Sequence, residues 1–249
     1  MIICKSPAEL IIMDRCNKIV RKILRELGEM IRPGLTTKEI DRYAEERARQ
    51  EGAVAAFKGY RGFPASICTS VNNQIVHGIP SERCSLKEGD IISLDFGILM
   101  DGFYGDAAIT YPVGRISETA KKLIEVTKGA LMTGIEHAKS GERISDISHA
   151  IQCYAQARGF SVVKEFVGHG IGSALHEDPQ IPNYGEPGRG PEISNGMVLA
   201  IEPMINAGTD EVLIENDGWT AVTKDGELSA HFELSVGIKN GRPWILGEE

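Results

Sequence analysis

Gly89-Asp90-Ile91-Ile92-Ser93-Leu94-Asp95 and Gly196-Met197-Val198-Leu199-Ala200-Ile201-Glu202 are the stretches from which the fold is read. Each is a glycine, a short apolar strand and a carboxylate six residues after the glycine, and the second lies 107 residues beyond the first. Working outward, the same shift lays Gly34 over Gly141, Ile40 over Ile147, Ala48 over Ala155 and Gly52 over Gly159. A pair of helical patterns precedes each stretch. Ser6-Pro7-Ala8-Glu9 has a capping residue, a proline suited to the first turn and the glutamate of a capping box. Apolar residues then recur at helical spacing from Ile12 to Leu27, and Pro33-Gly34 ends the run. Thr36 and Glu39 open a second helix that runs to about Gly52. The later pair covers Ser117 to about Ala138 and about Ile144 to Ala157. Coincidence among common residues is one account of this match. The other is a single domain, 1–249, built of two related halves, about 1–115 and 116–249. A pseudo-twofold axis would then bring Asp95 and Glu202 together between the halves, in an α+β architecture of strands under helices.

The carboxylates carry the chemistry. Asp95 ends the run Ile91 to Leu94, and a buried strand is a poor place for an unpaired charge. Asp106 follows eleven residues later, and Met100-Asp101-Gly102 between them reads as a hairpin turn. The two aspartates should stand nearly opposite one another, where like charges repel unless a cation intervenes. Glu202 ends another apolar strand, and Glu233 sits within Ala230-His231-Phe232-Glu233-Leu234-Ser235-Val236. Any one of these acids reads singly as half of a structural ion pair. Four of them in strands with few Lys or Arg are harder to pair, and a pair of metal ions fits better. His169, between Gly168 and Gly170, adds an imidazole where the backbone can approach a ligand closely. Four carboxylates and one imidazole suit Mn²⁺, Fe²⁺, Co²⁺ or Zn²⁺. Two such ions, about 3.5–4 Å apart, share a bridging water and polarise a carbonyl. His77 and His176 also lie near glycine or in loops, while His137 and His149 fall in helical patterns and read as surface residues.

The rest of the chain sets bounds. Its 42% hydrophobic and 25% charged residues are ordinary for a globular protein, and its net charge of −8 argues against a DNA-binding surface. No run approaches the roughly 18 apolar residues of a membrane span. The start lacks the features of a signal peptide, so a cytoplasmic location is expected. The five cysteines are odd in number with no C-x-x-C pair, and they read as reduced thiols.

The strings Val76-His77-Gly78-Ile79-Pro80, Asp101-Gly102-Phe103-Tyr104-Gly105-Asp106, Gly168-His169-Gly170-Ile171-Gly172 and Ile201-Glu202-Pro203-Met204, in this order, resemble the methionine aminopeptidases of the pita-bread fold over nearly the full length. Only 31 residues separate Glu202 from Glu233, too few for the helical insert of the type II enzymes, so the resemblance is to the short, bacterial-like type I form. It also disfavours the proline-directed peptidases of the same fold, which usually carry an extra amino-terminal domain. The resemblance implies that Asp106 and Glu233 bridge two divalent ions (cobalt, manganese, iron, zinc or nickel). Asp95 would bind one ion, and His169 with Glu202 the other. Glu202 would also shuttle a proton, and His77 and His176 would contact the substrate and steady the developing charge. A monovalent sodium or potassium ion would lie near Asn72, Gln74 and Ser229. Phe57, Tyr60, Phe63, Cys68, Leu175 and Trp219 match the methionine slot. Phe57 stands where cysteine is common, Leu175 where phenylalanine is common, and Leu234 where histidine often follows the bridging glutamate. The implied substrate is the amino terminus of a nascent polypeptide, with a small second residue, reached during transient ribosome contact by a monomer. The competing reading is a catalytically inactive binding protein of the same fold, which the complete ligand set disfavours.

Overall fold

The computed structural model describes residues 1–248. Its helices begin where the capping signals place them. The Ser6 hydroxyl accepts the Glu9 amide, and the Glu9 carboxylate accepts the Ser6 amide at 2.7 Å, which starts α1 (Pro7–Met30). The same reciprocal pair at Thr36 and Glu39 starts α2 (Thr37–Gln50). Ser117 caps α3 (Glu118–Glu136), and α4 (Ile144–Gln156) follows. His137 lies just past α3 rather than inside it, with its Nδ1 2.6 Å from Glu142. His149 does belong to α4 but is half-buried, because its Nδ1 reaches the Gly185 carbonyl at 3.0 Å.

The described residues form a nine-stranded antiparallel sheet. Its path runs through Val54–Ala55, Ile91–Met100, Phe103–Pro112, Glu233–Lys239, Val198–Ile201, Gly168–Gly170 and Glu177–Ile181. Arg242–Ile245 and Cys68–Val71 join at the side, on Glu233–Lys239 and Ile91–Met100 respectively. The central hairpin turns on Asp101 and Gly102, whose φ values of 52° and 81° are those of a two-residue turn matched to strand twist. Ten consecutive pairs follow from that turn, from Met100 with Phe103 to Ile91 with Pro112. Asp95 therefore sits mid-strand, not at a strand end as the apolar run suggested. The run was read only as far as the charge, whereas the pairing continues through Phe96 to Met100.

Alternation along the strands separates a helix side from a cleft side. Leu94, Phe96 and Ile98 pack with Cys16, Val20 and Leu24 of α1, while Leu199, Ile201 and Val236 pack with Leu123, Ala130 and Ile147 of α3 and α4. The opposite face carries a smaller apolar cluster that includes Phe57, Phe63, Cys68, Leu175 and Ala200. No helix among the described residues is long and apolar enough to cross a membrane.

At Gly105 the hairpin packs close against α1. A Cβ there would sit 2.8 Å from the Cys16 carbonyl carbon and 2.9 Å from its Cβ. Gly105→Ala is therefore expected to lower stability by about 1–3 kcal/mol, as overpacking does. Urea unfolding of the two proteins side by side checks this, and coincident transitions would show that α1 can move aside freely.

Candidate metal centre

Strand register builds the cleft floor. Asp95 pairs with Ala108, and on its other side Ala108 pairs with Glu233, so the two acids flank one small residue across three strands. Asp106 pairs with Gly97. The two aspartates are thus diagonal neighbours on one face, two residues out of direct opposition, which corrects the expectation drawn from the turn alone. Diagonal neighbours remain within reach of one another's side chains. Gly97 leaves room for the carboxylate. A Cβ there would stand 3.1 Å from Asp106 Oδ1 and 2.8 Å from the Phe57 ring. Farther along the floor, Ala200 separates Ser235 from His169, and Glu202 follows on the same strand face as Ala200.

These residues converge. Ligand atoms of Asp106, His169 and Glu233 lie within 4.8 Å of one another, and so do those of Glu202, His231 and Glu233. His169 Nε2 is 3.5 Å from Glu202 Oε1, and His231 Nε2 is 3.4 Å from Glu202 Oε2. Glu233 is not inside one continuous strand as expected. The chain breaks at Phe232, whose amide turns to the Pro203 carbonyl, and Glu233 opens the next strand.

The donor set fits a cation. Buried oxygens of Asp95, Asp106 and Glu233 have no hydrogen-bond partner. Among the described residues no Lys or Arg pairs with any of the four acids, and only His169 and His231 approach one of them. Burial pushes Asp95 up to about 7 and Glu202 up to about 8. It holds Asp106 and Glu233 well above the carboxylate range, and the neighbouring acids add to the effect. Burial, with His176 nearby, lowers His169 to about 3, so its imidazole is neutral. Its Nδ1 donates to the Gly170 carbonyl at 2.9 Å, which leaves the Nε2 lone pair facing the acids, the tautomer a metal ligand requires.

His77 and His176 border the same cleft, as do Phe57, Tyr60, Phe63, Cys68, Leu175 and Trp219. His77 has φ 61°, a strained backbone for a non-glycine residue, and its ring stands edge-on to Phe166 at 5.2 Å. Burial, then His231 and His176, lowers it to about 4. The His176 ring stacks on Tyr60 at 5.3 Å, and the Tyr60 hydroxyl lies 2.8 Å from its Nδ1. Asn72 and Ser229 also meet, since the Ser229 amide donates to the Asn72 carbonyl at 2.9 Å. Gln74 turns back onto the Val71 amide at 2.8 Å. Two cleft residues escaped the sequence reading. Arg61, at its border, has no sequence signal beyond the aromatics around it. His231 did have one, because an alternating strand places it on the same face as Glu233.

Metallopeptidase family M24 matches residues 12–239. Methionine aminopeptidase 1 of Bacillus subtilis (strain 168) is 56% identical over 238 residues, 96% of each chain. Methionine aminopeptidase of Clostridium acetobutylicum is 51% identical over 246 residues, 99% of this chain and 98% of that one. The crystal structure of methionine aminopeptidase from Thermotoga maritima superposes with a TM-score of 0.98 at 45% identity, covering 100% of both chains. The prolidase from Pyrococcus furiosus shares the fold, with a TM-score of 0.79 at 21% identity over 99% of this chain and 66% of that one.

The raised carboxylates have a consequence for stability. In the unfolded chain they titrate near pH ~4. Between there and about 7 for Asp95 or about 8 for Glu202, the folded chain without metal holds more protons than the unfolded one. Their contribution is therefore complete at low pH and is lost as pH rises through that window. A divalent ion competes with those protons. The gain in Tm on adding Mn²⁺ to stripped protein should be larger at pH ~7.5 than at pH ~5. An equal gain at both values would mean the acids are not the binding groups.

Proposed function

The chain belongs to metallopeptidase family M24 and, within it, to the methionine aminopeptidases; from that premise we propose that it removes the initiator methionine of nascent proteins, preferring a small second residue, at a centre of two divalent ions. Its fold is the pita-bread fold expected from the sequence. The observation that carries the reading is the cluster of four buried or half-buried acids with His169, which among the described residues no Lys or Arg pairs.

In this reading Asp106 and Glu233 would be shared by the two ions, Asp95 would help hold one, and His169 with Glu202 would help hold the other. The bound ions would supply an activated water and polarise the first peptide carbonyl. The protein's own groups do the rest. Glu202, with a histidine nitrogen 3.5 Å from one of its oxygens and 3.4 Å from the other, would take a proton from the attacking water and return it to the departing amine. His77 and His176 contact the substrate and donate hydrogen bonds to the oxygen that gains charge. Phe57, Tyr60, Phe63, Cys68 and Trp219 form the methionine slot, with Leu175 beside them, an apolar and polarizable lining suited to a thioether. A bulky second residue would crowd the acids at the cleft floor.

The same reading takes the ions from cobalt, manganese, iron, zinc or nickel, and a sodium or potassium ion near Asn72, Gln74 and Ser229. It places the enzyme in the cytoplasm as a single-domain monomer in transient contact with the ribosome. Two helix pairs, each followed by a strand that leads to a ligand acid, support the division into two pseudo-repeats. All five ligand positions carry donor residues, so nothing favours the inactive binding protein.

Purified protein, stripped of metal and given back Mn²⁺ or Co²⁺, should release methionine from a Met-Ala-Ser peptide. Glu202→Ala should lower the rate by about 100-fold or more, the scale of a lost general acid–base group. Release that is independent of metal, or unaffected by the substitution, would sink the reading. Met-Ala peptides should be cleaved faster than Met-Lys peptides, and equal rates would remove the small-residue preference.

A further inference from the structure

Beside the five proposed ligands, against Glu202, lies a buried imidazole that the proposed reaction leaves without a role. His231 is 1% exposed, and neither of its ring nitrogens makes a hydrogen bond. A buried polar group in that state is costly unless it acts on something nearby. Its Nε2 lies 3.4 Å from Glu202 Oε2, while the other oxygen of the same carboxylate, Oε1, lies 3.5 Å from His169 Nε2. The two histidines thus address opposite oxygens of one glutamate. Resting on Glu202 as a metal ligand, we propose that His231 is a positioning residue whose Nε2–H holds Glu202 Oε2, so that Oε1 stays turned toward His169 and the ion they share.

The mount of His231 is rigid enough for this task. Its amide donates to Thr110 Oγ1 at 2.9 Å, and the Thr110 hydroxyl donates back to the His231 carbonyl at 2.8 Å. Thr110 is paired in turn with Ser93 at 2.8 Å. This ties His231 to the hairpin that carries Asp95 and Asp106. On its other side His231 pairs with Met204, two residues past Glu202. The backbone that carries the imidazole is therefore fixed relative to both Glu202 and the acids across the cleft. At 3.4 Å the pair needs only a small rotation of the glutamate to close a hydrogen bond. A polar partner behind a ligand fixes the ligand's orientation, and its loss typically weakens metal binding by about 10–100-fold.

The test uses His231→Leu, which fills the space without a donor, and His231→Gln, whose amide N–H reaches in the same direction. Stripped wild-type and variant proteins are titrated with Co²⁺, followed by calorimetry and visible absorption, and kcat and KM are measured on Met-Ala-Ser. The leucine variant should bind Co²⁺ about 10–100-fold more weakly and lose kcat with KM nearly unchanged, and the glutamine variant should recover both. Should the leucine variant not fold, glutamine is compared with His231→Asn, whose shorter amide stops short of Glu202 and should reproduce the loss. Leucine, asparagine and glutamine variants indistinguishable from wild type would overturn the proposal. So would equal loss in all of them with an altered Co²⁺ spectrum, which would make His231 a direct ligand. Wild-type protein that binds no Co²⁺ would instead defeat the metal-centre reading itself.

Discussion

Four carboxylates gathered on one face of a buried sheet are the constraint around which the rest of the structure is arranged. Like charges at that spacing in a low-dielectric site are unfavourable by several kcal/mol unless they are protonated or share a cation. Among the described residues no Lys or Arg pairs them, and burial pushes all four upward. A chain that folds around such a cluster must hold it firmly, and the sheet does so through register. Small residues stand between the functional ones. Ala108 lies between Asp95 and Glu233, Gly97 opposite Asp106, and Ala200 beside His169. Larger side chains at those three positions would fill the space in which the acids converge.

The helices serve that floor from behind. Each strand that presents an acid to the cleft sends its alternate residues into a helix-side core, so metal-facing and core-facing roles share the same segments. This is why the site and the stability of the fold are hard to separate. A change at Gly105 acts on the packing of α1, yet its chain neighbour is Asp106. Around the floor the histidines divide their work by protonation state and direction. His169 is held neutral with its lone pair aimed at the acids, His176 is braced by Tyr60, and His77 is turned inward by a strained backbone.

Much of this was legible beforehand for identifiable reasons. Capping boxes at Ser6 and Thr36 are local hydrogen-bond patterns, so the starts of α1 and α2 follow from a few neighbouring residues. The turn at Asp101-Gly102 is likewise local, since both residues accept the left-handed conformation a two-residue turn needs. Misreadings came where long-range pairing decides. Asp95 reads as a strand end because a charge interrupts the apolar run, but the hairpin continues past it. The turn alone suggests that Asp95 and Asp106 are nearly opposite, whereas the pairing in the hairpin makes them diagonal. The alternation in its string puts His231 on the face of Glu233, but nothing local tells that Glu202 lies against it.

The sequence by itself determined the element types, the order of the acids and histidines, and which strand face each occupies, because these depend on neighbours a few positions away. Only the tertiary structure decided that Glu202 would have a histidine at each of its oxygens. It also decided that Ala108 would lie between two acids far apart in the chain, Asp95 and Glu233. Those relations depend on strand register and on the closing of segments distant in the chain, and no local pattern records the distance between side chains that meet only when the sheet is complete.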